Sequence, residues 1–243
     1  MKKITQKKAQ GHIEVIISFV IFLGFLVFLI IIFKPFKTPI NPGIFDSVLL
    51  NLDKKVGVSI KSISINLKNN PVNCITFNNP NLVSSDTGAG CTPQTIIIKD
   101  QDGNILQSNL IDNTFYINTN TKTFFTIYCG SSLEATQTSL NGCTELTSPD
   151  YILGIVVEEN LWSMEKLSSF SSQYQSDYTS LKNEIVTKSN DFGLVVSDLN
   201  SDIIFSMKTK IPRSIEVSSK TISKEIIDKT ASTKIIKADI LIW

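Results

Sequence analysis

From Val15 to Phe33 the chain reads VIISFVIFLGFLVFLIIIF, an uncharged and almost wholly apolar run broken only by Ser18 and Gly24. As a helix rising about 1.5 Å per residue it would reach about 28 Å, close to the hydrocarbon thickness of a bilayer. The pattern predicts a transmembrane helix. Pro35, Pro39 and Pro42 follow at once. Proline lacks the amide donor and restricts the residue before it, so the helix should stop near Phe33 or Lys34. Residues 34–43 read as a Pro-rich linker.

Beyond the linker the period changes. Ile44 to Val56 sets Phe45, Val48, Leu49, Leu52 and Val56 at helical spacing and predicts a short amphipathic helix. Val58 to Leu67 alternates as a strand does. Its phase shifts between Ile60 and Ile63, which predicts a bulge or bend. Thr95–Lys99 and Asn104–Ser108 flank Asp102-Gly103, a hairpin signal. Thr114–Asn118 and Lys122–Cys129 predict a second hairpin around residues 119–121. Residues 44–149 thus form a β-rich subdomain, and residues 150–243 an α+β one. The latter opens with a buried strand, Tyr151–Val157. A long helix follows from about Ser163 to Thr187, with the stripe Met164, Leu167, Phe170, Tyr174, Tyr178, Leu181 and Ile185. Ser163 caps its start. Strands are expected at Phe192–Ser197, Ile203–Lys210, Ser214–Ser219, Thr221–Asp228 and Lys234–Ile242, the last two pairing as a hairpin. The fold class is therefore α+β: one N-terminal transmembrane helix, then a β-rich ectodomain with one long amphipathic helix packed on an antiparallel sheet.

Charge orients the apolar run. Lys2, Lys3, Lys7 and Lys8 precede it, against Lys34 and Lys37 after it. The excess predicts a cytoplasmic N-terminus and an extracellular body on a single-pass protein of the cell membrane, with the lipid bilayer as a partner. The run is too long for a cleavable secretory signal, and FKPFKTPINP offers no small-residue cleavage site.

The segment Lys7-Lys8-Ala9-Gln10-Gly11-His12-Ile13-Glu14, followed directly by the apolar run, resembles the class III signal peptide of archaeal type IV pilin-like proteins. The resemblance covers about 27 residues and none of the body. It implies cleavage between Ala9 and Gln10 by a prepilin-type peptidase. Residues 1–9 would be a leader and residues 10–33 a retained helix. Glu14 would be the fifth residue of the mature chain, and the resemblance implies that it pairs with the new terminal amine of a neighbouring subunit during assembly. Ala9 stands where glycine is usual. Pilin helices usually continue past the membrane, whereas here prolines intervene, which favours a tethered domain or a minor subunit. Expected partners are pilin-like subunits or a surface polymer. The alternative is an anchored adhesion module that forms no filament.

Composition narrows the remaining chemistry. Lys and Arg total 23 and Asp and Glu 22, for a net charge of +1. There is no basic patch, and Arg213 is the only arginine, so nucleic acid is not an expected partner. Cys74, Cys91, Cys129 and Cys143 fall into two local groups, and their spacing predicts the disulfides Cys74–Cys91 and Cys129–Cys143. A zinc site would want C-x-x-C or a nearby histidine, and the only histidine is His12. Without histidine the body cannot form a Ser-His-Asp or Cys-His arrangement. Asp150, Glu158 and Glu159 are acids near a strand end, the one arrangement suited to glycoside hydrolysis. Trp162 and Trp243 read as core. No enzyme, cofactor or metal is expected.

Overall fold

The computed structural model describes residues 6–33, 43–68, 73–78, 92–186, 190–211 and 215–243, with the side chains of its first helix described from Glu14 to Leu29. It divides into two compact units, Met1–Asn41 and Pro42–Trp243. The first unit holds helix α1 (Gln6–Phe33), which ends where the following prolines require. The linker residues 34–42 lie outside the described residues.

Among the described residues no helix is long and apolar enough to cross a membrane. This corrects the expected transmembrane helix. With it go the single-pass location and the cytoplasmic N-terminus and extracellular body.

The α+β expectation is also corrected. The structure is mostly β: among the described residues thirteen strands stand against four α-helices and one 3-10 turn. In chain order the second unit contains α2 (Gly43–Val56), β1 (Gly57–Leu67), β2 (Cys74–Asn78), a 3-10 turn (Pro93–Thr95), β3 (Ile96–Asp100), β4 (Ser108–Ile111), β5 (Thr114–Asn118) and β6 (Phe124–Cys129). Then come β7 (Thr144–Glu145), β8 (Tyr151–Leu153), β9 (Val157–Ser163), α3 (Met164–Ser176), α4 (Tyr178–Ile185), β10 (Phe192–Ser197), β11 (Ile203–Met207), β12 (Ser218–Ile227) and β13 (Thr233–Ile242). Nine strands make one sheet curled into a half-barrel, in the order β11-β10-β13-β12-β9-β1-β6-β3, with β8 also on β1. A second sheet runs β4-β5-β2-β7. Because β9 pairs with both β1 and β12, strands from before and after residue 150 share the large sheet.

Strand β1 shows how alternation becomes two cores. Val58 and Ile60 point into a cluster with Ile97, Leu133, Leu161 and Ile227. Ile63, Ile65 and Leu67 point the other way, into a cluster with Ile75, Phe77, Phe115, Phe125 and Ile127. The register with β6 and β9 is continuous, so the predicted bulge is absent. The phase shift in the sequence is a change in which face is covered. The second sheet covers one face of β1, β6 and β3, through Ile75 and Phe77 of β2 and Phe115 and Ile117 of β5. A third buried region lies under the helices. There Phe170, Tyr174 and Tyr178 meet the ring of Phe192, and the Tyr174 hydroxyl donates to the Phe192 carbonyl at 2.7 Å.

Three further expectations change. The predicted long helix is two helices, because Asp177 leaves helical geometry (φ −146°, ψ 63°) and its carboxylate caps α4 by accepting the Ser180 N–H at 3.2 Å. The buried strand at 151–157 is instead β8 and the start of β9, with Ile152 to Val157 largely exposed. The hairpin around residues 119–121 is absent: β5 pairs with β2 and β4, while β6 pairs with β1 and β3. The true hairpin is β4–β5, turned by Asp112 and Asn113, both at positive φ (45° and 68°) as a type I′ turn needs.

Candidate functional site

Helix α1 carries the residues singled out in the sequence. From Val15 to Phe28 its large apolar side chains are 40–69% exposed, on every side of the helix. A methyl group built on Gly24 would meet nothing within 4 Å. Glu14 is exposed at the start of this surface. Ala9 and Gln10 fall within the backbone span of α1, but their side chains lie outside the described residues. A helix that is apolar all round is normally buried all round, since one flat partner covers only one face.

The cysteines pair differently from the sequence expectation. Cys74 bonds Cys143, across 69 residues. Cys129 is also disulfide-bonded, and Cys91 lies outside the described residues. The bridge Cys74–Cys143 overturns both predicted local loops. The physical cause is β7, which pairs parallel with β2 at Ile75–Thr144 and so brings Cys143 beside Cys74.

The three acids do not converge. Glu158 and Glu159 are consecutive on β9 and so face opposite sides of the sheet. Glu158 accepts the Ser59 hydroxyl at 2.6 Å. The Asp150 carboxylate accepts the Thr147 N–H and hydroxyl at 2.8 and 2.9 Å. Those bonds hold it below the usual carboxylate range and explain it as a turn residue. Trp162 and Trp243 are both buried. Among the described residues no group of three or more His, Cys, Asp or Glu is placed to hold a metal ion.

The sequence reading missed a polar cluster at the β12–β13 turn, assembled from residues far apart in the chain. Asp228 Oδ1 accepts the Thr230 N–H, the Thr230 hydroxyl and the Ser232 N–H at 2.8, 2.7 and 2.9 Å. Lys99, buried on β3, donates to the Ala231 carbonyl at 2.8 Å and to Ser232 Oγ at 2.9 Å. Burial pushes Asp228 up, but the bonds from Ser232 and Thr230 and the charge of Lys99 outweigh it, so its carboxyl titrates below the usual range. A carboxyl depressed on folding stabilises the fold when ionised. That contribution is lost as pH falls through 3.8 and below. Asp228→Asn keeps the acceptor oxygen and removes the charge. In urea titrations it is expected to be less stable than the unchanged protein near neutrality, with the gap closing as pH falls through the acid range. A gap of constant size would contradict this assignment.

Comparisons with family profiles, with curated proteins and with solved structures find no match.

Proposed function

We propose that this chain is a structural subunit of the pilin-like kind, with no catalytic role, assembled through α1 packing against α1 of other copies. The observation that carries this reading is the apolar surface of α1, exposed on all sides from Val15 to Phe28. A bundle of like helices removes such a surface from water on every side, at about 25 cal/mol per Å² buried. Maturation follows from the stub: a prepilin-type peptidase cuts between Ala9 and Gln10. Glu14, at the head of the apolar surface, then pairs with the Gln10 amine of a neighbour and sets the stagger between subunits. A carboxylate drawn into an apolar bundle needs such a partner.

Val20→Asp in the full-length protein places a charge in the middle of this surface. It is expected to convert assembled protein to monomer in sedimentation velocity, while the circular dichroism of the β-rich unit stays unchanged. Glu14→Ala is expected to weaken assembly in the same assay. Assemblies of unchanged size in Val20→Asp would overturn the reading.

A further inference from the structure

Asn141-Gly142 is the one Asn-Gly pair in the chain. An asparagine can be attacked at its side-chain amide carbon by the backbone nitrogen of the next residue, which closes a five-membered ring. Glycine makes this closure easiest, because no Cβ obstructs the attack and the backbone turns freely. In a folded chain the reaction also needs a nitrogen that no hydrogen bond holds, on a stretch of backbone that can rotate.

The fold supplies both. The Thr138 N–H is fixed to the Ser108 carbonyl at 3.2 Å, and Cys143 is fixed to Cys74 by the disulfide. Between these two anchors no backbone hydrogen bond among the described residues holds residues 139–142. Asn141 and Gly142 are both exposed. Among the described residues neither the Gly142 N–H nor the Asn141 side chain has a hydrogen-bond partner. A methyl group built on Gly142 would meet nothing within 4 Å, so no neighbouring wall restricts the approach. Gly142 lies at φ 70°, a left-handed bend that favours glycine, so the turn itself demands the reactive neighbour.

Three other pairs that could close the same kind of ring are held. In Asp102-Gly103 the Gly103 N–H bonds the Asp100 carbonyl at 3.0 Å, and the Asp102 carboxylate pairs with Lys122 at 2.6 Å. After Asn190, the Asp191 N–H bonds the Trp243 carbonyl at 2.8 Å. After Asn200, the Ser201 N–H bonds the Asp198 carbonyl at 3.1 Å. In each the attacking nitrogen must first give up a bond.

We propose that Asn141 is a site of spontaneous deamidation in the folded protein. The Gly142 nitrogen loses its proton and attacks Cγ of Asn141. The Cγ–Nδ2 bond then breaks, and ammonia leaves carrying that proton. Water opens the resulting succinimide at either carbonyl. One opening gives aspartate. The other gives isoaspartate, whose main chain runs through Cβ and Cγ and is longer by one carbon. Asparagine and water thus become a carboxylic acid and ammonia, with no oxidant and no enzyme in the balance. Each event adds one negative charge. The isoaspartyl form also lengthens the chain directly ahead of Cys143 and β7, a strand held by only two pairs with β2. The site does not depend on how subunits assemble, so it stands or falls separately from the reading above.

The test is full-length, oxidised protein held at physiological pH and temperature and sampled over days. Peptides are mapped by mass spectrometry, and isoaspartate is labelled with an isoaspartyl methyltransferase and a radioactive methyl donor. The peptide holding Asn141 is expected to gain the mass of an NH2-to-OH exchange and to take up the label. It should convert about tenfold or more faster than the peptides holding Asn190 and Asn200, whose ring-closing nitrogens are bonded. Asn141→Gln would need a six-membered ring, so it should keep the fold and lose the label. An Asn141 that persists unchanged in the folded protein would overturn the proposal, as would conversion of Asn190 or Asn200 ahead of it. Undiminished label in Asn141→Gln would place the reaction elsewhere and overturn it as well.

Discussion

Replacing Cys74 and Cys143 together by serine is expected to lower the free energy of unfolding by about 4 kcal/mol, the chain-entropy value for a loop of this length. The bridge spans 69 residues of sequence, from β2 to the residue before β7. Its C-terminal end near Cys143 is otherwise held by β7 and by the Thr138 N–H on the Ser108 carbonyl. Strand β7 is only two residues long, and it pairs with β2 at Ile75–Thr144 and Thr76–Glu145. Without the bridge, β7 and the chain leading to it are expected to detach before the rest of the second sheet. Guanidinium titration of the oxidised, reduced and doubly substituted proteins separates these effects. The midpoint should fall in the doubly substituted protein, and at least as far in the reduced one, which also loses the bridge of Cys129. A loss below about 1 kcal/mol would mean that the loop is held by packing instead.

Trp162→Ala is expected to cost about 3–5 kcal/mol, the range for deleting a buried aromatic side chain. Trp162 is 2% exposed and is the penultimate residue of β9, where β9 pairs parallel with β12 at Ile226. Its indole Nε1 donates to Asp53 Oδ1 of α2 at 2.6 Å. Asp53 in turn pairs with Lys224 of β12 at 2.9 Å, and the Lys224 ammonium stands 5.7 Å from the indole ring centroid. One side chain thus ties α2, β9 and β12 together. Trp162→Phe keeps most of the burial and leaves Asp53 without its indole donor, so it should cost about 1–2 kcal/mol. Thermal unfolding of the two variants reads the difference. Equal losses would mean that the hydrogen bond, rather than the ring's volume, holds the seam.

Much of the β-rich unit was legible because its periodicities match its burial. The spacing of Phe45, Val48, Leu52 and Val56 gave α2. The alternation of Ile236, Ala238, Ile240 and Ile242 reflects β13, with one face buried. The stripe from Leu167 to Ile185 was right in its residues and wrong in its continuity, because Asp177 is compatible with a helix interior by pattern alone. Local spacing misled on the disulfides, which depend on a parallel pairing that no turn signal announces. It misled again on residues 152–157, because an uninterrupted apolar run says nothing about whether anything covers it. At α1 the sequence gives a helix and a hydrophobic surface, but its length alone did not decide what that surface meets.

The most direct test of the pilin-like reading is the N-terminus of the native protein, determined by peptide sequencing in its assembled fraction. Removal of residues 1–9, with Gln10 as the first residue, is the expected result. A chain that begins at Met1 in that fraction would contradict it.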